Sequence, residues 1–158
     1  MGSGLELTFT LGRGEASILV RLLIAGLAGS AIGWNRFRAG KPAGIGTHAF
    51  VALGAALFAA IPALISPQGG SDALSRVVQG VATGVGFLGA GEIFRDTSGN
   101  RIHGLTSAAA LWVTAGLGIV SVCGSLALIA AITAIILFVL VVMPHLERRF
   151  RGKSVEPA

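Results

Sequence analysis

The stretch GVATGVGFLGAGEIF, residues 80–94, ends an apolar, glycine-rich run with one carboxylate, Glu92. A charged side chain inside an apolar segment is a candidate functional site by default, because lipid makes it expensive to keep there. Arg95 follows three residues later and would pair with Glu92 if both lay on one helix. An interfacial ion pair, with Arg95 or with a basic residue among Arg36, Arg38 and Lys41, is therefore the structural alternative to a functional carboxylate. His48 and His103 each open an apolar segment. Two imidazoles without placed carboxylates make a weak metal signal, and interfacial hydrogen bonding is the simpler role. Thr106, Ser107 and Thr114 suit hydrogen bonds to backbone carbonyls or to a neighbouring helix. Trp34 suits an interfacial anchor, and Trp112, deeper in its segment, suits packing. Arg21, near the outer end of the first segment, is expected to reach the outer headgroups. The sequence contains no Ser-His-Asp set and no metal-ligand spacing, so no enzyme is expected, no catalytic residue is assigned and no cofactor is called for.

The surroundings of these residues decide what holds them. Of 158 residues, 53% are hydrophobic and only 12% charged, and the mean hydropathy is +0.81. Too little polar material exists to cover a soluble domain of this size. The formal net charge of +5 does not point to nucleic acid, because the basic residues sit in short loops beside apolar segments and Tyr is absent. The single cysteine, Cys123, excludes an intramolecular disulfide and reads as a small packing residue. The first residues carry Glu6, Arg13 and Glu15 and do not resemble a cleaved secretory signal.

A crossing helix needs about 20 apolar residues. Spans are expected over about 16–34, 47–65, 77–94, 104–121 and 125–144, between an outer N-terminal segment, 1–15, and a basic tail, 145–158. Residues 102–146 lack charge, which is long enough for two helices, and SVCGSL, 121–126, supplies the turn between them. Arg36, Arg38, Lys41, Arg95, Arg101, Arg148, Arg149, Arg151 and Lys153 then fall on one side, against Arg13, Arg21 and Arg76 on the other. Basic residues accumulate on the cytoplasmic side, so the N-terminus is expected outside and the C-terminus inside. The fold class is all-α: a polytopic membrane protein of about five helices packed through Gly/Ala-rich faces.

Membrane helices associate by close backbone approach, which small residues permit. Gly80, Gly84 and Gly91 lie within about 40° of one another around a helix. Gly26, Gly29 and Gly33, with Ser30, form a similar strip on the first segment, and Ala108, Ala109, Ala115 and Gly116 a third on the fourth. Gly86 and Gly89 point elsewhere. From Val77 to Gly91 the uncharged helix is only about 22 Å long. Against a hydrocarbon core of about 30 Å, that places Glu92 near the inner edge of the membrane.

The motifs KPAGIGTHAFVALGAALF (41–58), GVGFLGAGEIF (84–94) and HGLTSAAALWVTAGLGI (103–119) resemble the MgtC/SapB family of bacterial inner-membrane proteins, and the resemblance runs over roughly residues 17–150. Lys41, Pro42, Gly44, Thr47 and His48 match the first cytoplasmic loop and the start of the second span; Gly104, Leu105, Thr106, Ala109, Leu111 and Trp112 match the start of the fourth. Asn35, Arg36 and Phe37 stand where many members have Glu-Arg-Glu, and Gly46 where many have arginine. Many members also carry a soluble C-terminal domain, whereas this sequence stops 14 residues after Pro144, which suggests a short form.

The resemblance implies a multi-pass protein of the bacterial plasma membrane linked to magnesium homeostasis or stress adaptation. It implies binding and regulation of other membrane proteins, among them membrane parts of ATP synthase. The alternative is a small cation carrier or channel for Mg2+ or protons. Mg2+ wants several oxygen ligands, and the spans offer one carboxylate per chain, so a carrier would call for a homo-oligomer with a ring of Glu92 side chains. The expected partners are the lipid bilayer and other membrane proteins, with a homo-oligomer of this chain as a further option.

Overall fold

The computed structural model describes residues 13–65, 70–96 and 102–151. It contains five helices: α1 (Arg13–Arg38), α2 (Ile45–Ile65), α3 (Gly70–Glu92), α4 (Leu105–Cys123) and α5 (Leu126–Arg151). A two-residue hairpin, β1 (Phe94–Arg95) and β2 (Ile102–His103), joins α3 to α4, pairing Phe94 with His103 and Arg95 with Ile102. Most of the expected outer segment 1–15, together with Arg101 and residues 152–158, lies outside the described residues.

Local chemistry sets the helix ends. Gly40 adopts a left-handed φ of 66°, which glycine tolerates without a Cβ penalty. The Lys41 amide then donates to the Arg36 carbonyl at 3.1 Å and the Gly40 amide to Phe37 at 3.0 Å, the paired bonds of a Schellman closure. Arg36 and Arg38 therefore belong to the last turn of α1 and not to a loop. Gly124 ends α4, its amide bonded to the Val120 carbonyl at 2.7 Å, at the turn expected from SVCGSL. α3 ends at Glu92, so Arg95 sits on an extended strand and the helical i, i+3 pairing expected for Glu92 and Arg95 does not form. α5 continues through Pro144 to Arg151, so the first half of the expected tail is helical.

Four helices, α1, α2, α4 and α5, are long and apolar enough to cross a membrane. The chain is an all-α, multi-pass membrane protein. α3 matches them in length, with 23 residues, but carries Asp72, Arg76 and Gln79 in its first half.

The packing is the reverse of a soluble core. Buried positions are dominated by small residues, among them Ala25, Ala52, Ala55, Ala56, Ala59, Ala60, Ala110 and Ala115, while Leu27 is 70% exposed, Phe50 75% and Phe87 82%. With lipid as apolar as leucine, burying large side chains gains little; close backbone contact gains dispersion. α2 and α4 form the centre. A Cβ placed on Gly29 would lie 2.5 Å from the His48 carbonyl oxygen and 2.8 Å from the Ala52 Cβ, and one on Gly33 2.6 Å from the Ile45 Cα. On the other side of α2, a Cβ on Gly118 would run into the Ala52 carbonyl. Ala52 is thus clamped between glycines of α1 and α4. Ile32, Leu117 and Ile129 form a second, bulkier layer that ties α5 to α1 and α4.

The expected packing roles divide accordingly. Gly29 and Gly33 are contact glycines, whereas a Cβ on Gly26, Gly80, Gly84 or Gly91 would meet nothing within 4 Å. The α3 strip is therefore not filled by another described helix. α3 reaches α4 instead through Gly89, whose added Cβ would stand 3.4 Å from that of Ala108. Periodicity identified a face correctly but could not say which faces meet. Trp112, expected to pack, is 55% exposed and faces outward. Cys123, expected to be a packing residue, is also exposed.

Candidate functional site

Four helix ends converge on one side of the bundle: the C-termini of α1 and α3 and the N-termini of α2 and α4. Arg36, in the last turn of α1, is only 3% exposed. Its Nη2 donates to the Ser107 hydroxyl at 2.7 Å, in the first turn of α4, and this bond is buried. A cation at a helix C-terminus is favoured by the helix dipole, and the Schellman closure at Gly40 fixes the turn that carries it. His48, in the first turn of α2, is fully buried. Its Nδ1 lies 3.0 Å from the Gly44 carbonyl oxygen; donation to that oxygen leaves Nε2 of a neutral ring as an acceptor. The Arg36 Nε–H and the His48 Nε2 are both buried without a partner among the described residues, so each is a position that a water or ligand atom can satisfy.

Glu92, half-buried at the end of α3, is close enough to act electrostatically on both Arg36 and His48. A carboxylate at a helix C-terminus opposes the dipole, and the positive charge of Arg36 within electrostatic reach offsets that cost. The connection behind it is tight. Gly104, with φ 91°, precedes α4, and a Cβ there would collide with the Glu92 carbonyl. The HG pair at 103–104 therefore seats the N-terminus of α4 directly on the C-terminus of α3.

The remaining expected residues disperse. His103 is exposed on β2 and stacks on Phe94, with ring centroids 5.5 Å apart and planes inclined by 22°; it does not join His48. Lys41, Thr47, Arg95 and Thr106 are exposed. Among the described residues no group of three or more His, Cys, Asp or Glu is placed to hold a metal. Ser107 is the partner that sequence reasoning left in the background; its only signal was a hydroxyl at the start of an apolar helix, shared with Thr106. Arg21 is a correction. It does not reach outward but donates from Nη1 to the Ser121 and Gly124 carbonyls at 3.2 and 3.0 Å. It thereby caps the C-terminus of α4, where a cation is favoured and carbonyls lack partners.

A second feature lies beside the cluster. Thr47, Phe50, Gly54, Phe58, Gly80 and Gly84 line an apolar groove of about 720 Å³ between α2 and α3. Ala55 and Val85, which also line it, belong to the core cluster with Ala43, Leu111 and Ala115.

The model of the MgtC family matches residues 22–149, which takes in the whole cluster and the groove. The chain belongs to the MgtC family. It is 52% identical over 115 residues to the protein SrpB of Synechococcus elongatus, covering 66% of this chain and 62% of SrpB. It is 38% identical over 148 residues to the putative magnesium transporter YhiD of Escherichia coli, covering 88% of this chain and 66% of YhiD. It is 37% identical over 137 residues to the protein MgtC of Salmonella choleraesuis, covering 87% of this chain and 57% of that protein. The chain thus spans less than two thirds of the length of these relatives. No solved structure matches. For this MgtC-family domain, membership agrees with the motifs 41–58, 84–94 and 103–119 that carry the resemblance, and every helix but part of α1 and α5 lies wholly inside the matched range.

Proposed function

We propose that this MgtC-family domain is a non-enzymatic protein of the bacterial plasma membrane that binds and regulates other membrane proteins in magnesium homeostasis. The α2/α3 groove carries this reading. It is about 720 Å³, apolar, glycine-lined and unfilled by any described helix of this chain. In a membrane such a surface suits a helix whose bulky apolar side chains seat over Gly80 and Gly84, because glycine lets two backbones approach. α3 acts as the fifth crossing in this reading. The basic residues Arg36, Arg38, Lys41, Arg95 and Arg149 then share one end, the cytoplasmic one, with the N-terminus outside.

A cation carrier for Mg2+ or protons is the second reading, supported by similarity to a protein named a putative magnesium transporter. The chemistry around Glu92 argues against it. A hard divalent cation needs several oxygen ligands, and the half-buried carboxylate here already lies within electrostatic reach of the Arg36 guanidinium. These residues do not fit a resident Mg2+.

The test uses a photoreactive residue in native membranes. Placed at Phe50, it should yield discrete adducts with other integral membrane proteins; placed at Leu27, 70% exposed on α1, it should not. Adducts only with further copies of this chain, or equal labelling at both positions, would replace the regulator reading. Mg2+ uptake by proteoliposomes that Glu92→Gln abolishes would establish the carrier instead.

A further inference from the structure

α3 carries a feature that the groove and the cluster leave unused. Asp72, Arg76, Gln79, Thr83, Gly86 and Ala90 follow one another at alternating spacings of four and three residues. That is the 3.5-residue repeat of a coiled-coil seam. All six are exposed, and they lie on a different face from Gly80 and Gly84. The seam is polar where α3 starts and small where it ends.

Its depth makes it costly to leave bare. Gln79 lies 13 residues before Glu92, or about 20 Å along a helix. With Glu92 at the inner edge of a core about 30 Å thick, Gln79 falls within the hydrocarbon. Thr83 satisfies its hydroxyl on the Gln79 carbonyl at 2.9 Å. The Gln79 amide has only a long approach of 3.5 Å to the Ser75 hydroxyl, which leaves most of its donors and acceptors open. In lipid, such groups find partners on another helix.

We propose that this seam is a homodimer interface, in which α3 of one copy pairs in parallel with α3 of a second copy about a twofold axis normal to the membrane. A twofold interface must be self-complementary, and this seam is. It carries an acid and a base one turn apart, so Arg76 of each copy packs into the layer bounded by Asp72 and Gln79 of the other. The two Gln79 amides meet near the axis, and Gly86 and Ala90 let the backbones close at the inner end. The pairing also accounts for a helix with α3's polar strip crossing a membrane at all. It rests on the reading of α3 as the fifth crossing and not on what occupies the α2/α3 groove.

Disulfide scanning in native membranes tests it, starting from Cys123→Ser so that each new cysteine is the only one. Mild oxidation should give covalent dimers from Gln79→Cys, Thr83→Cys and Gly86→Cys, and none from Val78→Cys or Gly84→Cys. Gln79→Leu, in otherwise unmodified protein, should lower the dimer fraction in mild detergent at least several-fold while leaving the monomer folded. Cross-linking without the 3–4 periodicity would overturn the proposal. So would a Gln79→Cys that never dimerises but reacts with a membrane-impermeant maleimide, since the seam would then face water.

Discussion

The α1–α2–α4 centre and α3 use the same residue for opposite purposes. At the centre, Gly29, Gly33 and Gly118 stand where a single added carbon would strike the backbone of α2. On α3, Gly80 and Gly84 face open space, and the helix touches the core mainly through Val81 and Val85. The first arrangement buries glycine to bring helices together within one chain. The second leaves glycine open, with no described part of the chain against it. One part of the molecule is closed and the other is not.

The largest expected effect breaks the closed part. Gly118→Leu forces a side chain into the Ala52 carbonyl, and a backbone atom of a central helix cannot step aside. Overpacking of this kind costs about 3 kcal/mol or more. Folded yield and thermal stability in mild detergent should both fall sharply; wild-type behaviour would mean that α2 and α4 are not packed at that point. A middle-sized effect is expected at the C-terminus of α4. Arg21→Met keeps the apolar stem but removes two charge-assisted bonds to the Ser121 and Gly124 carbonyls. A loss of about 1–2 kcal/mol should follow, read as a lower melting temperature. If Arg21 only reached the headgroups, the change would be negligible.

The smallest effect on stability sharpens the contrast most. Gly84→Leu was the substitution that the sequence pattern alone marks as disruptive, yet its Cβ meets nothing within 4 Å. Stability should change by less than about 0.5 kcal/mol, while adducts formed from Phe50 should disappear as the groove fills. A collapse of folding would show that α3 packs more tightly than the structure has it.

Much of the architecture was legible because it follows from composition and length. Continuous apolar runs of about 20 residues, with charges confined to short intervals, have the length and composition of spanning helices, which satisfy all their backbone groups within one segment. The turn at 121–126 was readable from small residues between two apolar runs, and the membership of the MgtC family from three ordered motifs. The site was legible only in part. Arg36, Glu92 and His48 stood out by type, but their association did not, because they lie on three different helices. The partners expected for Glu92 were Arg95, chosen by sequence spacing, or one of Arg36, Arg38 and Lys41; the end of α3 at Glu92 removes the helical geometry behind the first choice, and spacing could not pick among the others. Arg21 was misplaced for the same reason, since nothing local shows that the carbonyls it caps lie about a hundred residues away.

The sequence by itself determined that this is a helical membrane protein and which residues are too polar for lipid. Hydrophobicity and period are properties of a segment and need no neighbours. Only the tertiary structure decided which glycines close a contact and which stay open, and that Arg36 joins Ser107 within electrostatic reach of Glu92. Those outcomes depend on helix rotation and crossing, and between helices in an apolar solvent these are set by where two backbones can approach, a property of pairs that no single segment carries.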